Sequence, residues 1–266
     1  MTLLKKNIFC AVAALWAACA VAEEGCLAVP PEAMGDWGRI YLGSVPAVDS
    51  DGKSFIFEWN DLIWIASTEG GSAMPLLSNA DASWPVVSPS NGKIAFGSRR
   101  EDSYNVYVLD LETRQCSRVG RHSEMTIPRQ FSADGSKIVC TCVRDDDEAI
   151  SAQRVVIIDS DGKEAEFMPF DAVAEDPNLS PDGKTLLFVW NGEELYRKHN
   201  GTFCANAGEI WAYDLDEKTF RCIVKTPYGA RNPVWAPDGA GFYYIAGCDA
   251  FPLRNIFYCD FSTLAI

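Results

Sequence analysis

Histidine is almost missing from this chain, with only His122 and His199 among 266 residues. There is also no G-x-S-x-G elbow and no H-E-x-x-H pair, so a self-contained serine or zinc hydrolase is disfavoured. Basic residues are scarce too: 23 Lys and Arg stand against 37 Asp and Glu. That balance excludes a nucleic-acid backbone or an anionic membrane surface as the expected partner. Helical periodicity is nearly absent. Long apolar runs are absent beyond the N-terminus.

The N-terminal run is the exception. Lys5 and Lys6 precede an apolar stretch from Ile8 to Ala22, which closes on Ala20-Val21-Ala22 before Glu23-Glu24. About 15 apolar residues fall short of the ~20 a spanning helix needs. Residues 1–22 are therefore predicted to be a cleaved secretory signal, with 23–36 as a linker and no membrane insertion after cleavage. The expected location is exported: periplasmic in a Gram-negative cell, secreted otherwise. Loss of the two lysines takes the net charge to −16.

Ten cysteines are present, and Cys10 and Cys19 leave with the signal. The remaining eight would enter an oxidising compartment where disulfides are allowed. Cys248 and Cys259 flank a predicted hairpin connection and are the expected bridge. Cys140 and Cys142 lie two apart on one predicted strand, where a mutual bridge would be strained. No further ligands stand at metal-site spacing, so these two read as buried structural thiols, and no metal or cofactor is expected.

What the chain has in abundance is a repeated turn. "NLSPDGKTLLFVW", Asn178 to Trp190, has relatives at "VPAVDSDGKSFIFEW" from Val45, "WPVVSPSNGKIAFGS" from Trp84, "IPRQFSADGSKIVCTC" from Ile127 and "NPVWAPDGAGFYYIA" from Asn232. A proline precedes each turn, at Pro46, Pro85, Pro128, Pro177 and Pro233. A second recurring strand follows each, as in "NVYVLDL" from Asn105 and "EIWAYDL" from Glu209. Units of four short antiparallel strands at this period predict an all-β fold, a β-propeller. Five units are visible, about 37–78, 79–120, 121–171, 172–226 and 227–266, with the last lacking its outer strand. Two readings of that count stay open. Arg39 to Leu42 would supply the missing strand of a small ring, or the chain is a piece of a larger, six-bladed propeller. The prolines are predicted on the innermost strand, whose free edge tolerates a missing N–H.

These residues resemble the PD40 or "WD40-like" repeat of TolB and tricorn-type proteases. Three longer stretches sharpen the resemblance to the N-terminal propeller of exported tricorn-like S41 peptidases: "DLIWIASTEGG" from Asp61, "GRHSEMTIPRQFSADGSKI" from Gly120 and "ELYRKHNGTFCANAGEIWAYDL" from Glu194. The resemblance implies a substrate-channelling propeller without the PDZ and serine-peptidase segments of such proteins. It therefore implies a non-catalytic binding or gating module for a peptide or protein. A TolB-like envelope scaffold and a piece of a longer serine peptidase are the alternatives.

Other motifs read as structure. "DSDGK", at Asp49 to Lys53 and again at Asp159 to Lys163, lacks the ligand spacing of a calcium loop and reads as a turn. The run Asp145 to Glu148 reads as a solvated connection. Tyr196, Arg197, Lys198 and His199 open a long basic insertion in an acidic protein, and they are the candidate peptide- or partner-binding residues, suited to meeting a carboxylate.

Overall fold

Each recurring turn folds for the reason its residues give. In the fourth copy Gly183 N donates to Ser180 O at 2.9 Å, and Gly183 takes φ 73°, a left-handed value that returns the chain into the next strand. Asp182 accepts from Ser180 Oγ at 2.5 Å and from Lys184 N at 3.1 Å. Asp134 repeats this with Ser132 Oγ at 2.6 Å and Ser136 N at 3.0 Å. These bonds hold the Asp134 carboxyl down at about 2 and lower that of Asp182. Because the folded values lie below the ordinary carboxylate value, this stabilisation is full above about pH 4 and is lost as pH falls toward 2. The Asp134→Asn variant is expected to flatten the acid limb of a melting-temperature profile over that window.

The computed structural model describes residues 46–77, 81–90, 92–101, 103–120, 125–146, 149–163, 165–169, 174–190, 196–199, 202–205, 208–248 and 251–263. The expected signal, the linker and Arg39 to Leu42 lie outside them.

Five antiparallel sheets follow one another along the chain. The first joins β1 (Ala47–Val48), β2 (Ser54–Trp59), β3 (Leu62–Ser67) and β4 (Met74–Pro75). The second joins β5 (Ala82–Val87), β6 (Lys93–Ser98), β7 (Asn105–Asp110) and β8 (Cys116–Arg118). The third joins β9 (Thr126–Phe131), β10 (Lys137–Asp146), β11 (Ala149–Asp159) and β12 (Ala165–Phe167). In the fourth, β13 (Ala174–Leu179) and β14 (Thr185–Trp190) are followed by the separate hairpin of β15 (Tyr196–His199) and β16 (Thr202–Ala205), then by β17 (Glu209–Asp214) and β18 (Thr219–Val224). The last has three strands, β19 (Ala230–Trp235), β20 (Gly241–Cys248) and β21 (Phe251–Asp260).

The sheets are the blades of a propeller, as the repeat predicts. Pro85, Pro128, Pro177 and Pro233 all fall in the edge strand that opens their blade. These opening strands pack on one another, β5 on β9, β9 on β13 and β13 on β19, which makes them the inner strands around the axis. The core is divided into four layers, one between each pair of consecutive blades. Ile56 and Ile63 meet Phe96, Val106 and Val108 meet Ile138, Val155 and Ile157 meet Phe188, and Leu187 and Ile210 meet Phe242. Alternation explains the arrangement: every second residue of a strand faces the blade before, and the residues between face the blade after. Cys140 and Cys142 are buried in the second layer, and burial pushes the Cys140 thiol well up.

The register of the last blade overturns the expected Cys248–Cys259 bridge. Cys259 lies opposite Phe242 while Cys248 lies opposite Phe251, and Cys259 is a free thiol. Six residues of strand separate Cys248 from Phe242, about 20 Å at ~3.3 Å per residue, against the ~6 Å between Cα atoms that a disulfide spans. Cys248 is the last residue of β20 and Cys259 the last but one of β21.

Candidate functional site

The two ends of the blades differ. The glycine turns lie where the inner strands finish, and the connections from second to third strand lie where they begin, since Ala174 pairs with Trp190 and Trp190 with Glu209. On this second face the first two blades have short connections, Asn60–Asp61 and 99–104. The next three extend outward. β10 and β11 run on past Thr126 to a last pair at Asp146 and Ala149; β15 and β16 form their own hairpin; β20 and β21 pair out to Cys248 and Phe251, beyond Ala230.

The candidate binding stretch is the first strand of the middle extension. Tyr196 pairs with Ala205, Arg197 with Cys204, Lys198 with Phe203 and His199 with Thr202. What the sequence marks as a long loop is thus a β-hairpin, carried out from the blade between β14 and β17. At its root Glu209 is buried, and its carboxylate accepts from Lys225 Nζ at 2.8 Å and from Trp211 Nε1 at 3.1 Å. A hollow of about 250 Å³ lies nearby, lined by Pro227, Tyr228, Tyr244 and Phe257 among others.

Sequence reasoning misses the second component of this face. Before the proline the inner strand bulges, and the ladder skips from Ser83 to Val86, from Glu175 to Asn178 and from Arg231 to Val234. Trp84, Asp176 and Asn232, each directly before its proline, sit at φ 53°, 49° and 50°. Left-handed backbone is costly for any residue with a Cβ, and most of all for Trp. The Asp and Asn before Pro177 and Pro233 are the one signal that was available, because these residues tolerate that region best.

Acids of the preceding blade steady the bulges. Trp84 N donates to Glu58 Oε2 at 3.2 Å and Asn232 N to Asp176 Oδ2 at 3.3 Å. Arg231 Nη1 pairs with Glu175 Oε2 at 3.3 Å, with both side chains largely covered. Arg129 donates from Nε to Thr141 Oγ1 at 2.9 Å. Burial pushes its guanidinium below its usual value, and the Asp176 and Glu175 carboxylates offset part of that. Across blade two, Trp84 meets Tyr104 edge-on at 4.9 Å, and Arg99 reaches over Tyr104 while bonding Asp81 at 2.8 Å. The result is a rim of alternating charge with an aromatic sector, ringed on three blades by hairpins. Such a surface offers hydrogen bonds, ion pairs and ring contacts. Among the described residues no group of His, Cys, Asp and Glu is placed to hold a metal ion.

Blades of four antiparallel strands, opening on a proline-bearing inner strand and turning on glycine, define a β-propeller of the PD40 class. Within it, the model of the family described as the tricorn protease N-terminal beta propeller domain matches residues 42–266, and the chain belongs to that family. It is 24% identical over 221 residues to tricorn protease homolog 1 of Streptomyces coelicolor, covering 77% of this chain and 20% of that one. It is 31% identical over 64 residues to the peptidase YuxL of Bacillus subtilis, covering 24% of this chain and 8% of that protein. The chain thus spans a fifth or less of the curated relatives it matches. Among solved structures it resembles a TolB of Agrobacterium tumefaciens, with TM-score 0.66, 17% identity, and 83% of this chain and 77% of that one covered. The tricorn protease is similar at TM-score 0.54 and 12% identity, with 80% of this chain and 21% of that one covered.

Proposed function

We propose that this chain is an exported, non-catalytic propeller that binds a peptide or protein segment on the face of the extended hairpins, as a module related to the propeller of tricorn-like proteases. The observation that carries the reading is the lengthening of three consecutive blades on one face, around a rim of strained and charged inner-strand residues. Rigid scaffolds that hold adaptable loops around polar groups are suited to recognition. Arg197 and Lys198 make the middle hairpin basic in a chain whose acidic residues outnumber its basic ones, suited to a carboxylate of the bound segment. No helix among the described residues is long and apolar enough to cross a membrane.

The test is capture from an envelope extract by the immobilised protein, compared with Arg197→Ala/Lys198→Ala. Loss of bound peptides, with the melting temperature unchanged, is the expected result. Unchanged capture would remove the hairpin from the account, and retention of intact proteins without peptides would favour a TolB-like scaffold.

A further inference from the structure

Trp84 stands where the repeat asks for a different residue. Its counterparts Asp176 and Asn232, each before its proline, have the short polar side chains that tolerate left-handed backbone, whereas an indole-bearing residue at φ 53° is strained. The fold has a way around that strain. In the third blade Ile127 precedes Pro128, the ladder slips after the proline instead, between Pro128 and Gln130, and none of Thr126 to Phe131 takes positive φ.

A second departure from the repeat serves the same ring. Gly97 lies opposite Val106, at the place that Glu58 fills opposite Ile63 in the first blade and Val189 fills opposite Ile210 in the fourth. Gly97 has no left-handed φ, so the backbone does not call for glycine there. A Cβ on it would instead lie 3.0 Å from Trp84 Cε3, tighter than ordinary contact. The fourth blade is built with Asp176 and Val189 at these two places, so packing alone does not account for Trp84 and Gly97 together.

Tyr104 completes a platform. Its ring stands edge-on 4.9 Å from that of Trp84, Arg99 lies over it at 5.6 Å, and its backbone carbonyl accepts from Thr126 N at 2.7 Å. Both rings are half-buried, on the face of the extended hairpins and beside one of its short connections. Among the described residues neither the Trp84 Nε1–H nor the Tyr104 hydroxyl donates to a protein acceptor. The nearby carboxylates are engaged, Glu58 Oε2 by Trp84 N at 3.2 Å and Asp81 Oδ2 by Arg99 Nε at 2.8 Å. The site thus offers ring surface and open donors, with its acidic acceptors occupied.

We infer, on the reading that this face binds a peptide segment, that Trp84 and Tyr104 form a stacking site for a proline of that segment in extended conformation. Covering an N–H of the segment here would leave it without an acceptor, and proline has none. Extended proline-bearing backbone makes no internal hydrogen bonds, so its carbonyls are open to the two donors. Its flat rings suit an aromatic-lined surface.

Anisotropy titration of the full chain with a fluorescein-labelled hexaproline peptide is expected to show binding about tenfold tighter than to hexaserine or to a phenylalanine-bearing serine peptide of the same length. Trp84→Asn/Gly97→Val builds the second blade as the later blades are built. It should lose that difference, with a melting temperature level or raised because the strain leaves with the ring. Trp84→Phe keeps a ring without the N–H and should lie between. Equal binding of the three peptides, tightest binding of the phenylalanine peptide, unchanged hexaproline binding by the double variant, or a melting temperature lowered by the double change would each overturn the assignment. Envelope peptides retained alike by the unmodified chain and the double variant would overturn it and leave the peptide-binding reading standing; retention of none by the unmodified chain would overturn both.

Discussion

Gly241→Ala is expected to destabilise the last blade by several kcal/mol and to do so locally. A Cβ on Gly241 would overlap the Cys259 carbonyl oxygen and would lie 2.5 to 2.6 Å from the Tyr258 ring and hydroxyl, distances no real Cβ adopts. The ring lies over Gly241 because that residue has no side chain, and both neighbours belong to the strand paired with it. Relief requires β21 to separate from β20, and overpacking that forces backbone apart costs ~1–3 kcal/mol or more. The layer in which Trp235 and Phe242 pack on the fourth blade loosens with it. Since a blade touches mainly its neighbours, amide exchange should accelerate across β19 to β21 and leave β5 to β11 unchanged. Uniform acceleration over all five blades would show that the blades unfold as one unit.

Gln130→Leu is expected to be nearly as costly. The Gln130 side chain crosses from the third blade to the fourth, accepting from Leu179 N at 2.7 Å and donating to Leu179 O at 3.1 Å. Leu179 is buried, so an apolar replacement strands a backbone donor and acceptor together. At ~1–3 kcal/mol per orphaned group, the two together cost about 2–6 kcal/mol, or roughly 4–24 °C in melting temperature for a domain of this size. Gln130→Glu keeps the acceptor but sets a carboxylate oxygen against the Leu179 carbonyl oxygen, so at neutral pH it should cost at least as much as Gln130→Leu. A drop of under about 1 kcal/mol for Gln130→Leu would mean that water replaces both bonds.

These expectations separate what the sequence makes legible from what it hides. Proline and glycine mark their own backbone requirements, so the inner strands, the turns and the number of blades follow from Pro85, Gly183 and their relatives. The insertion at Tyr196 is visible as excess length, yet its hairpin pairing is not, because nothing in "YRKHNGTFCA" fixes a register. The Cys248–Cys259 expectation fails for the same reason: strand pairing, and not proximity to a turn, decides which cysteines meet. The clamps and the acid-to-bulge contacts join residues 26 to 57 apart in sequence, across two blades. No local pattern announces such a partner. Arg129, Glu175 and Arg231 accordingly look like ordinary charges until the inner strands are set side by side.

Gln130 has a counterpart that gives the clamp a wider meaning. Asn178, at the equivalent place one blade on, accepts from Trp235 N at 2.8 Å through its side chain and from Trp235 Nε1 at 3.2 Å through its carbonyl oxygen. Both amides reach the same place in the following inner strand, two residues after its proline. The fourth blade therefore owns one half of two joints, a socket toward its predecessor at Leu179 and a hook toward its successor at Asn178, whereas Ala47, Val86 and Val234 stand at the hook position of the other blades. The fourth blade duplicated whole would arrive with both halves in register, so a chain can lengthen by copies of that module without new contacts being invented. A cut made inside a blade instead would leave a hook with no socket.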